Sequence, residues 1–239
     1  MKPAAGLAAA LLTVTLALPC AAAVPPAPQA VAIGYDLYRN GGHIAVMTEQ
    51  FEAKDGGYRI VSETQAIGLF KLFERIPLRL VSAGKLSAAG LRPAQFEGKR
   101  GDADPRQVRG EFDWEAARLT LSRDGKTDAL PLPRGTQDRL SQMYQFMFLA
   151  PDEQQRLEVS MTNGRKLDRY FYTVQKGVEI DTALGRIATL HLVKQRRPDQ
   201  SGVELWLAPQ LHYLPVRILV MEEDGTRYEQ FITHLEVTP

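Results

Sequence analysis

The chain has 239 residues, with 29 Lys and Arg against 28 Asp and Glu, and 44% of it is hydrophobic. A balance this close to neutral gives no overall electrostatic pull on nucleic acid or on an anionic membrane. One cysteine, Cys20, and four histidines leave little material for thiol or metal chemistry.

The N-terminus reads as an export signal over residues 1–23. Lys2 supplies the positive charge, Gly6 to Leu18 an uncharged apolar run, and Ala21-Ala22-Ala23 the small residues of a cleavage site. The run is shorter than the roughly 20 residues of a membrane-spanning helix, and no later stretch is longer. The mature chain is expected to begin at Val24. The alternative is a lipoprotein anchored through Cys20, but Pro19 stands where such a signal wants a small residue. Loss of Lys2 with the signal leaves 28 basic against 28 acidic residues and no cysteine. Residues 24–30, rich in Pro and Ala, form a flexible lead, and 31–239 is expected to be a single β domain.

After the lead, turn signals recur at strand-length intervals: Asn40-Gly41, Asp55-Gly56, Asp124-Gly125, Asn163-Gly164, Lys176-Gly177 and Asp224-Gly225. Asn-Gly and Asp-Gly suit tight hairpins because both residues tolerate positive φ. The spacing predicts an all-β, mainly antiparallel fold. The expected strands are 31–39, 43–54, 58–69, 76–86, 91–100, 107–114, 117–123, 155–163, 165–175, 178–182, 186–196, 203–208, 213–222 and 227–237. Leu214 to Met221 is apolar on both faces, so something is expected to cover its second side. One segment has helical spacing instead. Asp138 can cap a helix over 138–149 with the stripe Leu140, Met143, Tyr144 and Met147, widened by Phe146, Phe148 and Leu149 and stopped by Pro151. The expected architecture is a curved open barrel or half-barrel packed on this one main helix, with a β-sandwich as the alternative.

Several segments together carry a resemblance. They are Gly90-Leu91-Arg92-Pro93, Phe112-Asp113-Trp114, Gln137-Asp138-Arg139-Leu140-Ser141 with Tyr144, Asp181-Thr182-Ala183-Leu184-Gly185, Leu205-Trp206-Leu207-Ala208 and Tyr213-Leu214-Pro215-Val216-Arg217. In this order they resemble the exported bacterial family known as domain of unknown function 3108. The resemblance runs over most of the mature chain. It implies an envelope protein of unassigned activity, with no catalytic residues to carry over. Residues 203–237 are also similar to the closing hairpin of the outer-membrane lipoprotein carriers. That implies a half-open barrel around an apolar hollow, at the level of fold alone.

Motifs for chemistry are sparse. No pair among His43, His191, His212 and His234 has helical zinc spacing, although His191 and His234 could meet across a sheet. Ser141 or Ser160 could be assembled with His191 and Asp181 on paper, but the Gly-x-Ser-x-Gly elbow is absent. Glu63, Glu111, Asp113, Glu204 and Glu236 have nothing fixing a separation for paired-carboxylate chemistry. Gly41-Gly42 and Gly56-Gly57 open no helix and read as turns, not phosphate cradles. No catalytic residue, metal or cofactor is expected. The apolar feature of most interest is a ligand pocket lined by Leu140, Met143, Tyr144, Met147 and Trp206, weighed against ordinary core packing. The leading functional reading is a periplasmic, non-enzymatic binding or envelope-assembly factor that holds a lipid or other apolar small molecule, or meets envelope proteins. Its rivals are a structural or interaction protein with no ligand and, last, a hydrolase.

Overall fold

The computed structural model describes residues 27–149, 151, 154–197 and 199–239. The expected signal at 1–23 and Cys20 lie outside them. Fifteen strands occur among the described residues: β1 (Ala30–Arg39), β2 (Gly42–Lys54), β3 (Gly57–Ala66), β4 (Leu78–Ser87), β5 (Gly90–Lys99), β6 (Val108–Asp113), β7 (Arg118–Arg123), β8 (Lys126–Pro131), β9 (Gln137–Asp138), β10 (Arg156–Thr162), β11 (Leu167–Thr182), β12 (Gly185–Lys194), β13 (Gly202–Ala208), β14 (Leu214–Met221) and β15 (Arg227–Thr238). They form one open sheet in the order β8-β7-β6-β5-β4-β3-β2-β1-β15-β14-β13-β12-β11-β10-β9. A single sheet replaces the two of the sandwich alternative. Every ladder is antiparallel except the short β9–β10 pairing.

Local chemistry sets this meander. Asn40-Gly41, Asp55-Gly56 and Asp124-Gly125 each place both residues at positive φ, the tight-hairpin geometry whose twist matches the strands it joins. Lys176-Gly177, expected as a turn between two strands, is instead a bulge within β11: Gln175 pairs with His191 and Val178 with Thr189. Further register shifts fall at Gly34/Tyr35, Leu37/Tyr38, Ala83/Gly84 and Trp206/Leu207. Bulges bend a sheet and raise its twist. At Gly84 the bend brings the backbone so close to Arg92 O that no side chain would fit.

The sheet curls until its far ends meet. The β10–β11 turn packs on β6, where a Cβ at Gly164 would lie 2.8 Å from Val108 Cγ2. Arg165 Nη1 donates to Asp124 Oδ2 at 2.9 Å in the β7–β8 turn, and Gln137 Nε2 in β9 donates to Leu91 O of β5 at 2.9 Å.

The main helix expected over 138–149 is not formed. The helix α1 (Ser141–Gln145) is five residues long. Beyond it the chain tightens, with Met147 N donating to Tyr144 O and Phe148 N to Gln145 O, the three-residue spacing of a 3-10 turn. Burial on nearly every side is the reason. Leu140, Tyr144 and Met147 enter one core, Phe146 enters a second built on β12–β14, and Met143 touches both. Docking of each side chain to its own strand overrides the propensity of a short apolar run to continue as helix.

Candidate functional site

Residues 137–148 form a plug inside the curl. Asp138 fixes its start: Oδ1 accepts from the N–H groups of Leu140 and Ser141, both at 2.9 Å, and Oδ2 accepts from Ser82 Oγ of β4. Ser82 in turn meets the Tyr58 hydroxyl at 3.0 Å. Ser141 Oγ accepts from Asp138 N, so this hydroxyl is engaged locally. Gln145 clamps the other end, accepting from Leu91 N and donating to Ala89 O, both at 2.7 Å. Trp114 Nε1 donates to Pro93 O at 2.6 Å. Three of the segments that carried the family resemblance thus converge, and together they anchor the plug to β5 and its flank.

On one side of the plug the curl stays open as a hollow of about 660 Å3, within the usual range for small-molecule sites. Apolar walls come from the inward rows of the strands: Leu37, Met47, Leu80, Met161, Val203 and Ile218 among them. The plug contributes Leu140, Met143, Gln142 and Arg139. Phe70 and Glu74 stand at the rim, in a segment whose Leu69 and Phe73 are 77% and 83% exposed. A smaller, polar depression lies on the outer face of β2–β4, among Gln50, Arg59, Glu63 and Arg79, away from the plug.

The expected pocket residues are distributed as follows. Leu140 and Met143 border the hollow. Tyr144 is buried behind the wall, stacked on Phe51 with ring centroids 5.3 Å apart, and donates to Glu49 Oε2 at 3.1 Å. Met147 is packed in the core. Trp206 stands on the opposite face of β13 from Val203, sandwiched between His191 at 4.3 Å and the Arg217 guanidinium at 4.4 Å. His191 and His234 do not meet, because β12 and β15 are separated by two strands. His191 pairs with Glu204 and His234 with Glu236. Among the described residues no three His, Cys, Asp or Glu side chains are grouped to hold a metal ion, and no helix is long and apolar enough to cross a membrane.

Two charged residues give the hollow its character. Glu49 sits in the inward row Ala45, Met47, Glu49, Phe51 of β2 and is only 6% exposed. Burial pushes its carboxyl above the usual carboxylate range, against the opposing effects of the Tyr144 hydroxyl, the nearby Ser62 and the Arg139 charge. Ser62 Oγ itself has no hydrogen-bond partner. Arg139 is ringed by protein yet exposed, because it faces the open volume. Its enclosure pushes the guanidinium down from its ordinary value, and Glu49 pulls it back up. Sequence reasoning passed over both residues. The parity of β2 carried a signal for Glu49, which alternates in step with Met47 and Phe51. Arg139 lies in a segment that carries the family resemblance, but beside a capping residue, where a charge by itself is unremarkable.

The family model described as "Protein of unknown function (DUF3108)" matches residues 34–233. The chain belongs to the DUF3108 family. This DUF3108 member is similar to a β-barrel-like protein of domain of unknown function DUF1849 from Brucella abortus, at 11% identity and a TM-score of 0.58 over 88% of this chain and 98% of that one. It is similar at 14% identity to MucB in its complex with MucA(peri), over 88% of this chain and 51% of that one, with a TM-score of 0.39. The first likeness is one of fold; the second is too slight to carry an argument. No curated protein matches the DUF3108 member's sequence.

Proposed function

We propose that this DUF3108 member is a non-enzymatic binding factor of the bacterial envelope, holding a lipid-like molecule in the hollow between the plug and the curled sheet. The observation that carries the reading is the hollow itself. It is walled by Leu140 and Met143 of the plug and by inward aliphatic rows of the sheet, and the plug leaves it unfilled. Apolar walls with a few convergent polar groups characterise small-molecule sites. The pattern of Lys2, the apolar run and Ala21–Ala23 supports export to the periplasm.

The exposed apolar segment at the rim favours a second reading, an interaction protein with no ligand, since large exposed apolar side chains grouped together mark contact surfaces. An apolar fluorescent dye displaced by fatty acid separates the two. The binding reading expects saturable, displaceable binding, and a Met143→Ala cost well under the 2–5 kcal/mol of a filled core, because Met143 already borders open space. Absence of saturable binding together with a full core cost at Met143 would leave the interaction reading standing alone. Native mass spectrometry of protein taken from its own periplasm, with solvent extraction, would then identify any molecule carried.

A further inference from the structure

We propose that the hollow takes an amphiphile with a single anionic head, a carboxylate or a phosphate, and that Arg139 binds this head at the plug. The proposal rests on the reading of the hollow as a ligand site.

Arg139 is held on a rigid support. Its two neighbours, Asp138 and Leu140, are locked by the Asp138 cap and by Ser82 of β4. The backbone that carries Arg139 is therefore already ordered when the ligand arrives, and only its side chain has to settle. Its guanidinium lines the hollow, and among the described residues it has neither a hydrogen-bond partner nor an ion pair within 4 Å. Its five N–H donors are exposed to the open volume and engaged by no protein acceptor, so an anionic group entering the hollow can take them. Glu49 does not serve. Its Oε2 takes the Tyr144 hydroxyl, and it makes no ion pair with Arg139 within 4 Å.

The other cations around the hollow are already engaged. Arg100 pairs with Glu74 at 3.4 Å and Lys166 with Asp168 at 2.9 Å, while Arg39 lies over the Tyr228 ring. The rim also carries Glu222 and Glu223. An anionic head therefore finds its free donors at the plug, with its chain along the aliphatic rows. A planar guanidinium fork matches a carboxylate or phosphate two oxygens at a time.

The test compares palmitate, hexadecyl phosphate and uncharged hexadecanol, each below its micelle concentration, by dye displacement from the mature protein and from Arg139→Gln. Palmitate or hexadecyl phosphate should bind at least about tenfold tighter than hexadecanol, the scale of one charge-assisted hydrogen bond. Whichever anion gains more identifies the head. Arg139→Gln should abolish the preference and leave hexadecanol binding in place, and Arg139→Lys should restore part of it. Equal binding of anionic and neutral chains by the natural protein overturns the proposal without any variant, so a poorly folding Arg139→Gln would not shield it. A preference that survives in a folded Arg139→Gln overturns it as well. Failure of all three to bind defeats the ligand reading itself, a different result from binding without charge preference.

Discussion

Replacing Gly164 and Gly125 by alanine tests whether the sheet curls as described. Both glycines sit in tight turns at positive φ, 84° and 71°. Alanine in that region costs about 1–2 kcal/mol, partly offset by the roughly 0.4–1 kcal/mol that a stiffer unfolded chain returns. Gly125 has nothing within 4 Å of the added Cβ, so Gly125→Ala should cost only about 1 kcal/mol. At Gly164 the Cβ would lie 2.8 and 2.9 Å from Val108 Cγ2 and Cβ, and 3.2 Å from Phe96 Cε1. Phe96 is fully buried and Val108 nearly so, so neither can step aside freely. Overpacking of this kind adds about 1–3 kcal/mol, for a total of about 2–4 kcal/mol. Urea unfolding reads both variants. The midpoint of Gly164→Ala should fall well below that of Gly125→Ala at an unchanged slope. Equal losses would refute the argument, because they would mean that the β10–β11 turn does not pack on β5 and β6.

Burial raises the carboxyl of Asp138 to about 6 against an ordinary 3.8, overcoming its hydrogen bonds to Ser82, Ser141 and Leu140. Its stabilising contribution is therefore complete below about pH 4 and is lost as pH rises through about 6, on the order of 3 kcal/mol at most. Asp104, Asp181 and Asp224 are shifted the other way, so the comparison is with Asp138→Asn: denaturant midpoints from pH 4 to 7 should fall more steeply in the natural protein, and parallel curves would remove the assignment. Tyr144→Phe should cost about 1–3 kcal/mol by depriving buried Glu49 of its donor, and Glu49→Gln in the same chain should recover part of it; a purely additive loss in the double variant would show that the two side chains do not act together.

Much of the strand map was legible in the sequence. Asn-Gly and Asp-Gly turns fix hairpin positions through backbone sterics, and alternation fixes faces. Strand β8 escaped because Lys126–Pro131 is almost wholly exposed, so no buried row betrays it. Strand β9 has two residues and is held by tertiary contact alone. The helix was overestimated because a stretch apolar on all sides has helical spacing whether or not it is a helix; contacts with several separate strands decide its shape. The site was only half legible. Leu140 and Met143 follow from apolar spacing, and Trp206 has the composition of a pocket wall. A bulge at Trp206/Leu207 and the parity of β13 send Trp206 to the other face. The polar groups of the hollow depend on which strands the curl brings opposite one another, and local pattern does not encode that.

The sheet order has a kinetic consequence. Every ladder joins strands consecutive in sequence except β1–β15, where Ala30 pairs with Thr238 and Val31 with Val237. Two runs of local hairpins can therefore form early, while the seam between them must wait for a contact across some 200 residues, whose closure is the entropically expensive event. Until it closes, β1 and β15 present bare edges able to recruit other chains. A permuted chain, opened at the exposed Gly135 turn and linked between Thr238 and Ala30, would convert this most distant pairing into a simple hairpin. It should keep the same fold and reach it faster, with less loss to aggregation on the way.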